Sequence, residues 1–113
     1  MHIQVDALIV KRSESCLLST PNLFVIVGVS DFFSTQAKSL KEAMFEFEKA
    51  ISTIFLRSVE QNTKYETIKS PDLVLELWNR AVPFEWNGEG SWGRNDLTLD
   101  IKVHARYIET DEY

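Results

Sequence analysis

The stretch SLKEAMFEFEKAISTIFLRS, residues 39–58, decides the fold because it is the clearest helix in the chain. Ser39 with Glu42 three residues later forms a capping box, in which the serine hydroxyl accepts a backbone N–H and the glutamate reaches back to the cap. At about 100° per residue, two sets of side chains fall on opposite sides of this helix. The set expected to face the core is Leu40, Met44, Phe47, Ile51, Ile54, Phe55 and Ser58, and the polar set is Glu42, Glu46, Lys49, Thr53 and Arg57. A long amphipathic helix packed on a sheet is therefore expected.

Strands are predicted before this helix. Residues 2–10 begin with alternating apolar side chains and end in an apolar run, which is typical of a strand buried on both faces toward its end. Residues 23–29 are rich in β-branched side chains and are predicted to form the central strand. A short return strand is expected at 15–20, so the opening third is predicted to be an antiparallel meander.

A second, shorter helix is predicted after residue 70. Ser70 suits the cap, Pro71 the first helical position and Asp72 the positive end of the helix dipole. The side chains that would share one side are Leu73, Val74, Leu77, Trp78 and Ala81. Leu73, Leu75 and Leu77 also alternate, which keeps a strand open as the alternative. Pro83 ends the element in both cases.

The C-terminal part predicts a long strand at 97–107, where apolar and polar residues alternate almost without a break. Residues 84–86 are expected to pair with it across the glycine-rich loop at 87–91. The order of elements predicts an α+β fold: a mainly antiparallel sheet of four to five strands, with one long helix and a shorter one packed on one face. One domain over residues 1–113 is expected.

Composition limits the classes of function. Of 113 residues, 44% are apolar and 26% charged, which is typical of a folded globular domain. A pI near 5.0 with scattered basic residues argues against binding nucleic acid or an anionic membrane surface. Cys16 is the single cysteine and cannot form a disulfide within the chain, and no leader sequence is recognised. A cytoplasmic location is therefore expected.

Several motifs that could carry chemistry are better explained without it. Residues 88–93 match G-x-G-x-x-G, but no helix is predicted after them to receive a phosphate, so a hairpin loop is expected. His2 lies near the terminus and His104 on the exposed side of a strand, which suits neither catalysis nor metal binding. Cys16 is expected to pack, and Glu42 and Glu46 to lie on a solvated helix surface. No catalytic residue, metal or cofactor is predicted.

Residues 84–113 combine aromatic side chains with most of the net negative charge. Seven carboxylates stand there against three basic residues, so this segment carries −4 of the formal −5. Rings among like-signed charges suit docking onto a basic protein, because carboxylates speed encounter and buried rings slow escape. The predicted partner-binding residues are Glu85, Trp86, Glu89, Trp92, Tyr107, Glu109, Asp111, Glu112 and Tyr113. The alternative is that the tryptophans complete the core and 109–113 forms a frayed acidic tail.

In composition, though in no particular motif, the chain resembles toxin-immunity proteins, which are small, acidic, cysteine-poor cytoplasmic domains of bacteria. This likeness implies a stoichiometric inhibitor, or antitoxin, of a basic nucleic-acid-acting partner such as a toxin nuclease domain. A dimeric secretion-type chaperone or adaptor is the first alternative, with Phe45 and Leu56 as its exposed patch. A small carboxylate-dependent hydrolase is the second and needs an enclosed cleft. The chain is not expected to be an enzyme, and both a monomer and a homodimer stay open.

Overall fold

A computed structural model describes residues 1–12, 23–29, 33–62 and 69–113. Within them the elements are β1 (His2–Lys11), β2 (Phe24–Gly28), β3 (Ser34–Ala37), α1 (Leu40–Glu60), α2 (Asp72–Arg80), β4 (Val82–Phe84), β5 (Ser91–Arg94) and β6 (Leu97–Glu109). This is the α+β fold that the sequence predicts. The strand expected at 15–20, including Cys16, lies outside the described residues.

The strands form one sheet in the order β3-β2-β1-β6-β4, and β5 pairs with β6 beside β4. β1 and β6 run parallel, whereas every other pairing is antiparallel, so the mainly antiparallel sheet is confirmed. The described residues hold six strands rather than four to five, since β3, β4 and β5 are each only three or four residues long. β1 lies at the centre, and the segment predicted to be central is β2, which lies between β1 and the edge strand β3.

The two helices cover opposite faces of the sheet, so the prediction that both pack on one face is wrong. Neighbouring side chains of a strand point to opposite faces. In β1, Ala7 belongs to the apolar cluster under α1, whereas Leu8 packs with Val74 and Leu77 of α2. The physical reason is that the end of β1 has apolar side chains on both faces of the sheet, so an element must pack on each face to bury them.

α1 is confirmed as the long capped helix, but the side that it buries differs from the expected one. The Ser39 hydroxyl accepts the backbone N–H of Glu42 at 3.2 Å. Ile54, expected to face the core, is 43% exposed, whereas Leu56 is 2% exposed. The buried residues of α1 are Ala43, Met44, Phe47, Glu48, Ile51, Ser52 and Leu56. The helix is thus turned so that a glutamate, Glu48, faces the protein interior.

The segment at 72–80 is a helix, so the strand alternative is wrong. Ser70 does not cap it. The Ser70 hydroxyl instead donates to the Val29 carbonyl at the end of β2, and Pro71 takes the cap position. Neither α1 nor α2 is both long enough and apolar enough to cross a membrane.

β6 confirms the predicted long strand, with Leu99, Ile101 and Ala105 buried on the α1 side. The hairpin expected between residues 84–86 and this strand is not formed: of these residues only Phe84 pairs with β6, opposite Ala105, and the strand that forms the hairpin with β6 is β5. A two-residue turn joins β5 to β6, and Asn95 in this turn has a φ of 54°. The chain between β4 and β5 therefore forms a loop along one edge of β6, and this loop holds the candidate site.

Candidate functional site

The centre of the site is the carboxylate of Glu48, which α1 places in the interior with 0% exposure. Oε2 accepts the indole N–H of Trp86 at 2.7 Å. Oε1 accepts the backbone N–H of Gly90 at 2.8 Å and the indole N–H of Trp92 at 3.0 Å. A buried polar group is tolerated when hydrogen bonds replace its water, and here both oxygens are occupied. We call these three hydrogen bonds the Glu48 clamp.

The clamp explains why the loop needs glycine at position 88. A Cβ atom placed on Gly88 would lie 1.5 Å from Glu48 Oε2 and 2.6 Å from the Trp86 indole nitrogen. No side chain fits between the loop backbone and the carboxylate. Gly90 has a φ of +77°, a left-handed conformation that favours glycine, although a Cβ there would meet open space.

The G-x-G-x-x-G match therefore has a local explanation. The backbone N–H of Gly90 points to the chain's own carboxylate, and the element that follows is the strand β5 rather than a helix. Residues 88–90 lie in a loop as expected, whereas 91–93 belong to β5, and the loop joins β4 to β5 instead of closing a hairpin.

Aromatic contacts hold the loop against α1. The Trp86 ring packs edge-on against Phe47, with ring centroids 5.6 Å apart. The Trp92 ring lies tilted against Phe45 at 5.3 Å. Such ring pairs contribute about 0.5–1.5 kcal/mol each beyond the burial of their area. Both tryptophans are therefore held by rings as well as by hydrogen bonds.

With its tryptophans turned inward, the loop presents its carboxylates outward. Glu85 and Glu89 are exposed. An open cavity of about 370 Å³ lies between the loop and the start of α1. Its lining includes Lys41, Glu42, Phe45, Gly88 and Glu89, and the Phe45 side chain is 41% exposed. The loop from Glu85 to Trp92, with Glu42 and Phe45 beside it, is called the acidic loop surface below.

The structure spreads the predicted partner-binding residues along β6 instead of gathering them at one point. Glu85, Trp86, Glu89 and Trp92 lie in or beside the loop. Trp92 pairs with Leu99 of β6, and Tyr107 lies eight residues further along that strand, roughly 26 Å away at the usual strand rise. The residues at or beyond that end are Tyr107, Glu109, Asp111, Glu112 and Tyr113.

The C-terminal group makes its own contacts. Arg80 of α2 donates two hydrogen bonds to Glu112, at 3.0 and 3.1 Å. Its guanidinium lowers the pKa of the Glu112 carboxyl, and the carboxylate raises the pKa of Arg80. The Tyr113 ring packs with the α2 cluster, where burial raises the pKa of its phenol. Tyr107 stacks on Phe84 with centroids 6.0 Å apart.

The other titratable residues do not assemble a reactive centre in the described part of the chain. His2 lies 3.3 Å from Asp100, and His104 lies 3.2 Å from Asp6, in two exposed cross-strand pairs. Within the described ranges, no three His, Cys, Asp or Glu side chains come close enough together to hold a metal ion.

Glu48 is the residue that sequence reasoning missed. A signal for it exists, since Glu48 stands four residues after Met44 and three before Ile51, on the side of the helix that faces the core. A carboxylate at such a position needs donors, and tryptophan N–H groups are among the few that an apolar environment supplies. Which donors it would meet does not follow from the helix alone.

No protein-family model matches this chain, and comparison with curated proteins and with solved structures gives no match. The geometry of the site is therefore the basis for assigning a function.

Proposed function

We propose that this chain is a small acidic protein-binding module, a stoichiometric inhibitor of the toxin-immunity type that neutralises a basic, nucleic-acid-acting protein. The acidic loop surface is its docking site. The observation that supports this most is the Glu48 clamp, because it uses a buried carboxylate and two tryptophans to fix a loop whose outward side chains are carboxylates.

Fixing the loop before binding favours affinity. Ordering a mobile loop in a complex costs free energy, at about 0.5–1.5 kcal/mol for each side chain that is immobilised. The clamp holds the loop backbone at Gly90 and both flanking tryptophans in the free protein. The carboxylates of Glu85 and Glu89 are thus presented from a fixed backbone.

The cavity beside the loop suits a cationic side chain of the partner. Phe45 offers a partly exposed ring, and Glu42 and Glu89 offer carboxylates on the same cavity wall. An arginine or lysine inserted there would meet both a ring face and opposite charge. Lys41 also lines the cavity, which leaves its charged lining with one net negative charge.

The C-terminal carboxylates belong to the proposal as steering charge. Residues 84–113 hold −4 of the formal −5, and a net field of one sign accelerates the approach of an oppositely charged protein. Carboxylates that stand in for phosphates would cover the partner's nucleic-acid groove. The bacterial cytoplasm, where the lone Cys16 stays a thiol, is the setting that we propose.

The two alternatives gain less support. The adaptor's exposed patch requires Leu56, but this side chain is buried at 2% exposure. A hydrolase requires a carboxylate that is free to take or give a proton. Among the described residues the most enclosed carboxylate, that of Glu48, already accepts hydrogen bonds at both oxygens.

The test is capture of the partner followed by reconstitution. Immobilised wild-type protein is exposed to lysate of its native cells at low and then moderate salt, and retained proteins are identified by mass spectrometry. A basic protein held one to one and released by salt is then purified, and its nucleic-acid-cleaving or nucleic-acid-binding activity is titrated with the chain. We expect complete loss of that activity at one equivalent.

Charge variants separate the loop from the tail. Glu85→Gln with Glu89→Gln should weaken binding through both slower association and faster dissociation, by about tenfold or more at low salt. Glu109→Gln with Asp111→Asn should slow association alone. Asp72→Asn with Glu76→Gln removes equal charge from α2 and is the control. Unchanged binding by the loop variant, or a partner that keeps its activity at one equivalent, would contradict the proposal.

A further inference from the structure

The edge of β3 that faces away from β2 carries backbone groups of the kind that pair with a further strand. The Phe33 carbonyl accepts the Gly28 N–H at 2.8 Å, so residue 33 and every second residue after it point toward β2. The backbone N–H and C=O groups of Ser34 and Gln36 consequently point away from the sheet. Among the described residues, β3 pairs with β2 alone.

The residues of β3 supply little protection of this edge against strand pairing beyond the shortness of the strand, which is four residues long. Edge strands are commonly protected by charge, proline or a bulge. The sequence of β3, Ser34–Ala37, contains no charged residue, proline or glycine. The opposite edge contrasts with it, since β4 contains Pro83 and the pairing along β6 is interrupted between β4 and β5.

α1 provides a second contact surface beside the same edge. A groove of about 330 Å³ runs between β3 and α1, lined by Thr35, Glu46, Lys49, Ala50, Thr53 and Ile54. Ala50 and Thr53 are small, which allows close approach of another helix, and Ile54 is 43% exposed. α1 packs over β3 and β2. Two copies joined at β3 would therefore bring their α1 helices to about 10 Å, a usual distance for packed helices.

We propose that a second copy of this chain docks here, through antiparallel β3–β3 pairing about a two-fold axis at Thr35. Ser34 of each copy lies opposite Gln36 of the other, and the pair exchanges both backbone hydrogen bonds. The Thr35 hydroxyl is buried and lacks a hydrogen-bond partner among the described residues. At the axis Thr35 lies opposite Thr35 of the second copy, and threonine pairs across neighbouring strands stabilise sheets.

The charge distribution favours this edge over the others. The segment 84–113, with its −4 of the formal −5, forms the other side of the sheet and the surfaces beyond it. Pairing of two copies at β3 therefore leaves their acidic segments far from each other. On α1, Glu46, Ala50 and Arg57 share the side toward the groove by helical spacing. Antiparallel helices would place Glu46 of each copy within reach of Arg57 of the other.

The dimer leaves the acidic loop surface of each copy free, because that surface lies at the opposite edge. Each copy could then hold one partner. Dimer formation through β3 and inhibition through the acidic loop surface are independent of each other, so the absence of one would leave the other unaffected.

Sedimentation equilibrium of the purified chain over a wide concentration range tests the proposal. We expect a reversible dimer in the wild type and a monomer in both Ile54→Glu and Gln36→Pro. Leu75→Glu, which changes a similarly exposed leucine on α2, should stay a dimer. Circular dichroism shows that each variant is folded; Ile54 is exposed, so its variant is expected to fold like the wild type.

Hydrogen exchange gives the residue-level readout. The Ser34 and Gln36 amides should be protected in the wild type at high concentration and should lose protection on dilution and in Ile54→Glu. A wild-type monomer at all concentrations would overturn the proposal, as would a dimer that survives both Ile54→Glu and Gln36→Pro.

Discussion

Glu48 and Gly88 act together at the scale of single residues. A hydrogen bond contributes about 1 kcal/mol net, but a buried donor or acceptor that loses its partner costs about 1–3 kcal/mol. The carboxylate of Glu48 has three donors, and the two indole N–H groups would lose their acceptor without it. Gly88 is the position at which the loop backbone passes close enough for this arrangement.

Gly88→Ala should therefore destabilise the protein. Its Cβ atom would meet Glu48 Oε2 at 1.5 Å, so either the carboxylate or the loop must move and hydrogen bonds of the clamp must break. We expect a loss of about 1–3 kcal/mol in the free energy of unfolding, measured as a lower urea midpoint at unchanged slope.

Gly93→Ala is the matched control for that measurement. A Cβ at Gly93 would lie 3.7 Å from the Leu97 carbonyl oxygen, an ordinary contact. The control should change stability by less than about 0.5 kcal/mol. Equal losses in the free energy of unfolding for the two variants would contradict a requirement for glycine at the close approach between Gly88 and Glu48.

At the scale of elements, α2 depends on its surroundings. With nine residues it is too short to be stable as an isolated helix. Val74 and Leu77 anchor it to the second face of the sheet, and Ser70 ties its start to β2. Its last turn is joined to the C-terminal segment through Arg80 and Glu112. The end of the chain thus takes part in holding the helix.

The contact between α2 and the C-terminal segment predicts a pH dependence. Arg80 lowers the pKa of Glu112 from its ordinary 4.5, so the ionised carboxylate is favoured in the folded state. The stabilisation is present above the ordinary pKa and is lost as the pH falls through the lowered one. The stability difference between wild type and Glu112→Gln should therefore be largest near neutral pH and vanish in acid.

Urea unfolding of both proteins at a series of pH values measures this difference. Glu89→Gln controls for the loss of one negative charge at a site without such a contact to Arg80. Because Arg80 and Glu112 are exposed, the effect should be small and should shrink in high salt. A difference that grows toward acid pH would contradict the assignment.

For the whole molecule, sequence patterns predict the elements better than their arrangement. The helix at 39–58 follows from periodicity and its capping box, whereas the strand at 97–107 and the helix after Ser70 follow from periodicity alone. The strand β3 could not be predicted, since its sequence, Ser-Thr-Gln-Ala, has no apolar alternation. The apolar end of β1 indicates that both faces of the sheet are buried there. No local sequence pattern, however, assigns a particular helix to a particular face.

The candidate site shows the same limit. The aromatic and acidic composition of the C-terminal segment was visible in the sequence, but the direction of its side chains was not. Trp86 and Trp92 turn inward because their acceptor is on α1, 38 and 44 residues earlier in the chain. Contacts over such separations depend on how the elements pack, so the Glu48 clamp became visible only in the folded chain.

The most direct test of the Glu48 clamp is the hydrogen exchange of the three tryptophan indole N–H groups, followed by ¹H–¹⁵N NMR. Trp78 is the internal control, because it contacts Arg106 and His104 through its ring. The indole protons of Trp86 and Trp92 and the Gly90 amide should exchange far more slowly than the Trp78 indole proton. The Trp86 and Trp92 indole protons and the Gly90 amide should all lose this protection in Glu48→Ala while the fold persists. Equal exchange of all three indoles in the wild type would contradict the clamp and with it the fixed acidic loop.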